Sequence, residues 1–235
     1  IAAGTTYNPT VDFGFVNHDG ITKSIIGTSE TFTTGANVTI GEIVTYEIAI
    51  DIIAGTSYDD VTVTDRMDRG LAYVDCLLVN LGAADLTGTV CPVAIISSIT
   101  NPGDSTANPA NLGRQVIFPI GDIPAPGTDT TLVIRYRAIV LDVIENQSGV
   151  SLGNNANWAW MGGSASARAS NVEIVEPDLG IRKTAASSSN VPIGTPVEFT
   201  LFIDHTIPQS QTDAFDIVVT DILPSNLQYV QCTVQ

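Results

Sequence analysis

One stretch of this chain occurs twice, and a chain that repeats itself in register is constrained to fold as repeated units. The first copy, IGEIVTYEIAIDIIAGTSYDDVTVTDRMDRGLAYVDC, runs from Ile40 to Cys76. The second, IGTPVEFTLFIDHTIPQSQTDAFDIVVTDILPSNLQYVQC, runs from Ile193 to Cys232. Both open on Ile-Gly, pass through an alternating run (Val44 to Ile48, Val197 to Leu201) and cross a polar loop. Both then enter a second run that ends at Asp65 or Asp221 and close on Leu-x-Tyr-Val-x-Cys. Upstream, Gly20 to Ser24 (GITKS) mirrors Gly180 to Thr184 (GIRKT). Lys23 and Lys183, the only two lysines of the chain, therefore hold the same place in the two repeats.

Alternation with a period of two is the signature of a strand with one buried face. It recurs in ITKSII, IVTYEIAIDII, VTVTD, RQVIFPIGDI and TTLVIRYRAIVL. In the last run Leu132, Ile134, Tyr136 and Ala138 share a face, with Arg135 and Arg137 opposite. Pro-Gly and Asn-Gly-Pro-rich punctuation separates the runs, and no amphipathic helix is readable. The expectation is an all-β chain of tandem β-sandwiches. Residues 1–19 read as an N-terminal arm or the end of a preceding domain, 20–176 as a complete sandwich repeat, and 177–235 as a truncated second repeat. Val11, Phe13 and Phe15 alternate within the arm, which suits it to fill an open sheet edge on a neighbouring copy.

Hydrophobic residues make up 44% of the chain and charged ones only 14%, enough for a packed core. A net charge of −16 repels nucleic acid and anionic membrane, and both are excluded as main partners. No apolar run is long enough to span a bilayer. The chain starts at Ile with no signal peptide, which reads as a processed or excised piece of a longer secreted protein. Of the three cysteines, Cys76 and Cys91 are expected to form a disulfide, with reduced buried thiols as the alternative; Cys232 is the repeat equivalent of Cys76.

The period of two also aims the two lysines. Ile21, Lys23 and Ile25 share a face, as do Ile181, Lys183 and Ala185. Val61, Val63 and Asp65 share another, as do Ile217, Val219 and Asp221. Each repeat thus turns a Lys and an Asp inward among aliphatic neighbours. One reading is a buried ion pair, another a lysine that snorkels to the surface. The third is an intramolecular isopeptide bond. Desolvation drives Lys towards the nucleophilic amine and Asp towards the acid, which can polarise an Asn carboxamide. The Asn belongs on the last strand, where LGNNANWAW offers Asn154, Asn155 and Asn157. Asn157 is preferred, although Trp158 and Trp160 on the opposite face leave the inward side open.

The pattern Ile-Gly-x-x-Val-x-Tyr/Phe, Val-x-Val-Thr-Asp, Leu-x-Tyr-Val resembles the surface repeats known as domain of unknown function 11. It also resembles the isopeptide-forming domains of Gram-positive fimbrial backbone proteins. EPDLGIRKT looks like the junction between consecutive repeats of that kind, and the resemblance extends from about residue 20 to the end, weakest from Leu81 to Gly113. It implies immunoglobulin-like or collagen-adhesin-like β-sandwiches strung along large extracellular or cell-surface proteins. It implies an autocatalytic bond made by Lys23, Asp65 and Asn157, with Lys183 and Asp221 as the first two members of a second set. Its partners would be neighbouring domains or copies of the same protein. The chain departs from the fimbrial pattern at Leu223-Pro224-Ser225-Asn226, which lacks the Thr-Gly of a sorting motif.

A structural stalk, adhesin or filament module is the leading reading, and no enzyme motif is present: neither nucleophile elbow, phosphate loop nor catalytic dyad. The rival is a carbohydrate- or calcium-binding module. Trp158 and Trp160 would stack on surface glycans if exposed and otherwise pack the core. Asp59 and Asp60, with Asp213 and Asp216 in the equivalent loop, would hold Ca²⁺, the only cofactor considered, or simply solvate the loop. His18 and His205 are isolated, which argues against a transition-metal site. Asn37-Val-Thr and Asn146-Gln-Ser are glycosylation sequons.

Overall fold

The computed structural model describes residues 20–82, 91, 95–97, 113–186, 190–205, 212, 214 and 217–234. The arm with Val11, Phe13, Phe15 and His18 lies outside the described residues, as do Asp213 and Asp216. The chain divides into two compact units, Ile1–Val175 and Glu176–Gln235. Among the described residues there is no helix, and so none long and apolar enough to cross a membrane.

The first unit contains β1 (Ile21–Thr28), β2 (Asn37–Val38), β3 (Ile43–Ile52), β4 (Tyr58–Met67), β5 (Leu71–Leu81) and β6 (Ile95–Ser97). It continues with β7 (Gln115–Ile123), β8 (Thr130–Val140), β9 (Ser151–Leu152), β10 (Asn154–Trp160), β11 (Gly163–Arg168) and β12 (Val172–Ile174). One sheet has the order β1-β3-β8-β5 and the other β11-β10-β4-β7-β6. A small third sheet, β2-β12-β9, includes the parallel pair β12–β2. Every ladder within the two large sheets is antiparallel. The chain is thus an all-β sandwich in its first unit.

Alternation decides what fills the space between the sheets. Val44, Tyr46, Ile48, Ile50 and Ile52 of β3 are buried, as are Leu132, Ile134, Tyr136, Ala138 and Val140 of β8. The opposite sheet contributes Val61, Val63, Val116, Phe118, Ala156 and Trp158. Rings meet across the gap: Phe118 lies 5.7 Å from Tyr136 and 6.1 Å from Tyr73. Each fully buried side chain of this size contributes about 1.5–3 kcal/mol. The outer face of β8 stays wet, with Arg135 paired to Glu47 at 2.6 Å and Arg137 held by Asp75. The disulfide Cys76–Cys91 is formed across a separation of 15 residues, worth about 3 kcal/mol in the chain-entropy model.

The run ASARASNVEIV reads by its sequence as one strand, yet β11 ends at Arg168, and β12 leaves the large sheet to pair with β2 and β9. The second unit forms only a two-stranded sheet, β13 (Leu179–Ala185) with β14 (Phe199–His205). Its IVVTD run, Ile217 to Asp221, has no strand pairing. The equivalent β4 of the first unit is held by β7 and β10.

The repeat is nonetheless legible at backbone level. Lys23 sits opposite Ile48, and Lys183 opposite Leu201, which are repeat-equivalent pairs. The shared glycine turns have the same form. Gly41 (φ 83°) and Gly194 (φ 88°) both take the left-handed region, which glycine alone adopts freely. The turns close with Glu42 N–H donating to Thr39 O and Thr195 N–H to Pro192 O, each at 3.1 Å.

Asn146 is fully buried in a loop after β8. Its side-chain amide donates to Gly70 O at 3.0 Å and Leu141 O at 2.8 Å, so this sequon serves the fold. Gly70 (φ 95°) makes room for it: a Cβ there would lie 2.0 Å from Asn146 Oδ1. Asn146→Ala strands two buried carbonyls, and a denaturant melt should show a loss of about 2 kcal/mol.

Candidate functional site

Lys23 is on β1, the edge strand of one sheet, and its side chain crosses the interior to the other sheet. The faces of stacked sheets lie about 10 Å apart, a distance that a four-carbon stem can bridge. The stem is long enough that the ammonium arrives at Asp65 on β4 and Asn154 on β10. Lys23 Nζ pairs with Asp65 Oδ2. It also donates to Asn154 Oδ1 at 2.6 Å and to the Tyr136 hydroxyl at 2.9 Å. Asn154 Nδ2 in turn donates to the Tyr136 hydroxyl at 2.8 Å. The rings of Tyr46 and Tyr136 flank the amine, their centroids 5.2 Å and 5.5 Å from Nζ. Lys23 and Asp65 side chains are both wholly removed from solvent.

The electrostatics follow from that burial. Desolvation pulls the Lys23 amine down to about 8, against the upward pull of Asp65. About a tenth of the amine is then neutral at pH 7. Burial pushes the Asp65 carboxyl up, the Lys23 charge and hydrogen bond opposing it. Asp65 Oδ1 has no partner in hydrogen-bond geometry, so the ionised form is poorly solvated by its surroundings. Burial also raises both tyrosines, Tyr136 well above its ordinary value. The pocket therefore shifts its acid and its base alike towards their uncharged forms, with a carboxamide beside them.

The carboxamide is that of Asn154, not Asn157. Along β10 the inward residues are Asn154, Ala156 and Trp158. Asn157 has the other parity; it is half-buried, and its amide donates to Ala165 O at 3.1 Å on β11. The apolar bulk of Trp158 fixes the parity, because a ring of that size is buried on the core side. Trp158 is wholly buried, which removes it as a sugar platform. Trp160 is half-buried, 4.2 Å from the Trp158 ring and 5.6 Å from that of Tyr58. Both therefore belong to the packing of this end of the sandwich. The one signal in the sequence for Asn154 is that it shares parity with the two tryptophans. Tyr136 was legible as an inward residue, and a buried hydroxyl needs a polar partner.

Asp59 and Asp60 lie exposed in β4 at a bulge. Asp60 takes φ 54° and donates its N–H to Asp122 Oδ1 at 2.9 Å, while Asp59 O accepts from Met161 N–H. Among the described residues no three His, Cys, Asp or Glu side chains converge as a metal site. In the second unit Lys183 Nζ donates to both oxygens of Asp221 at 2.7 Å and stands 4.6 Å from the Phe199 centroid. Phe199 is the repeat equivalent of Tyr46, so the lysine, carboxylate and ring recur as a set. This second set is about a third exposed. Cys232 is free and exposed.

No family model matches the chain, and no curated protein does. Solved structures share its shape in part. The full-length major pilin RrgB of Streptococcus pneumoniae is 20% identical over 60% of this chain and 23% of its own length, with a TM-score of 0.40. BcpA, the major pilin subunit of Bacillus cereus, is 17% identical over 70% of this chain and 41% of its own, with a TM-score of 0.41. The N-terminal domain of the Streptococcus gordonii adhesin Sgo0707 is 12% identical over 66% and 32%, with a TM-score of 0.43. The chain thus spans less than half the length of each of these.

An Asn154→Ala variant isolates the Lys23–Asp65 pair and exposes its proton linkage. The folded amine titrates near 8, below its ordinary 10.5, so above 8 the unfolded chain binds more protons at this group. The amine's share of the stability should rise from pH 8 to about pH 10, with the raised Asp65 carboxyl giving the opposite slope wherever it still holds its proton, and the curve should turn down as the unfolded chain releases the protons of Tyr46 and Tyr136 first. Denaturant midpoints of Asn154→Ala and of Asn154→Ala/Asp65→Asn check the curve; a profile of the double variant that does not rise contradicts the lowered amine.

Proposed function

We propose that this chain is a load-bearing module of an extracellular or cell-surface stalk, adhesin or filament. Its first sandwich closes on itself through an amide between Lys23 Nζ and Asn154 Cγ. One observation carries the reading. The amine lies 2.6 Å from the carboxamide oxygen in a water-excluded pocket whose buried carboxyl, Asp65, is pushed towards its acid form. A neutral amine next to a carboxamide polarised by a carboxylic acid is a nucleophile held against its electrophile. The reaction expels ammonia, runs once and leaves no site for turnover, which fits a structural protein.

The position of the bond fits a mechanical role. Lys23 and Asn154 are 131 residues apart. An amide between β1 and β10 gives pulling force a covalent path past the strands that lie between them in the chain. Neighbouring domains or further copies of the chain are the partners such a module requires. The acidic surface keeps it apart from nucleic acid and anionic lipid.

The intact mass after full reduction tests the bond. The native chain should weigh one ammonia less than its sequence. Lys23→Ala and Asn154→Ala should each restore the sequence mass, while Asn157→Ala keeps the deficit. A full sequence mass in the native chain would leave Lys23 and Asp65 as a buried ion pair and end this reading.

A further inference from the structure

Forming the amide leaves a proton in the wrong place. When Lys23 Nζ attacks Asn154 Cγ, the new bond makes the lysine nitrogen cationic. The carboxamide nitrogen is a poor leaving group until it is protonated. One proton must therefore travel from Nζ to Nδ2 within a pocket that holds no bulk water. Asp65 pairs with Nζ through Oδ2 and also hydrogen-bonds the Asn154 side chain. Its one acidic proton is needed at the carboxamide oxygen. The Tyr136 hydroxyl meets both nitrogens, Nζ at 2.9 Å and Nδ2 at 2.8 Å.

We infer that Tyr136 is the proton relay of the crosslinking reaction, linking the attacking amine to the departing ammonia. This rests on the amide proposed above and adds a residue that the lysine, carboxylate and asparagine set does not include. A hydroxyl has two acceptor positions and one proton to give. In the resting pocket both acceptor positions are used by the two nitrogens, which leaves the proton free for the neighbouring Asp65 carboxyl. An amide nitrogen cannot accept that proton, because its lone pair is delocalised into the carbonyl. Attack on Cγ removes the delocalisation and turns Nδ2 into an amine with a free pair. The Nδ2–Tyr136 contact can then reverse its direction without any atom moving far.

The steps balance. Neutral Lys23 Nζ bonds to Cγ, the carbonyl π pair moves to Oδ1, and Oδ1 takes the proton of the Asp65 acid. Nζ passes a proton to the Tyr136 oxygen as the Tyr136 proton goes to Nδ2, and the phenol is regenerated. The Cγ–Nδ2 bond breaks, its pair leaves with ammonia, and Oδ1 returns its proton to Asp65. One amide and one ammonia replace one amine and one carboxamide, with no oxidant or outside acid. Tyr46 differs from Tyr136 in this respect: its hydroxyl makes no hydrogen bond to Lys23 Nζ.

The test follows crosslinking in time. The full chain is made by a short pulse of cell-free synthesis, samples are quenched in acid, and the ammonia deficit is read by mass in light and heavy water. Tyr136→Phe should crosslink at least about 100-fold more slowly than the native chain, the usual size of a lost proton-transfer group. The heavy-water slowing seen in the native chain should shrink in the variant. A variant that crosslinks at the native rate overturns the relay, as does a slow variant with an undiminished heavy-water effect, which signals mere misplacement. Protease resistance verifies folding. If the variant does not fold, 3-fluorotyrosine at position 136 keeps the ring and hydroxyl and changes only its acidity; an unchanged rate there overturns the relay. A native chain that never loses ammonia instead refutes the amide itself, and the two failures are distinct.

Discussion

The first sandwich depends on what it does with one ammonium group placed between two sheets. Moving a lone charge into that space is costly by several kcal/mol even after relaxation, far more than any single apolar contact returns. The fold meets that cost with a carboxyl on the opposite sheet, two tyrosine rings beside the amine and a carboxamide beyond it. The rings favour the cation by about 1–2 kcal/mol, too little to offset burial. The amine consequently lies below its ordinary range and the acid above it. An ion pair in this setting is a weak source of stability. The amide proposed above is the arrangement of these groups that would remove both charges and tie β1 to β10.

The second unit carries the same set of groups. Lys183 keeps the register of Lys23 against the neighbouring strand and keeps its carboxylate and its ring. The pair is about a third exposed, and a pair so wetted is worth little. In the first unit the same groups are wholly buried between two sheets, and that burial is what shifts both titrations towards the uncharged forms.

Much of this is legible in the sequence. The period-two runs placed Lys23 and Asp65 on core faces, and the sandwich follows from the same alternation. The disulfide was readable from spacing and setting. The parity of β10 was not, because three asparagines crowd its start and the tryptophans could be assigned to either side. Packing decides it: Trp158 is the larger apolar body, it goes inward, and Asn154 goes with it. The split of the last segment into β11 and β12 was hidden for a similar reason. Ser, Ala and Arg residues alternate through it without a break, and only the pull of β2 and β9 shows where the chain turns away.

A high-resolution crystal structure of the native chain tests the central claim most directly, at two atoms. The account predicts continuous density at bonding distance between Lys23 Nζ and Asn154 Cγ, no Nδ2 on that residue, and Tyr136 within hydrogen-bond reach of the new amide. Two separate side chains at non-bonded distance, with the Asn154 carboxamide intact beside a Lys23–Asp65 pair, would contradict it.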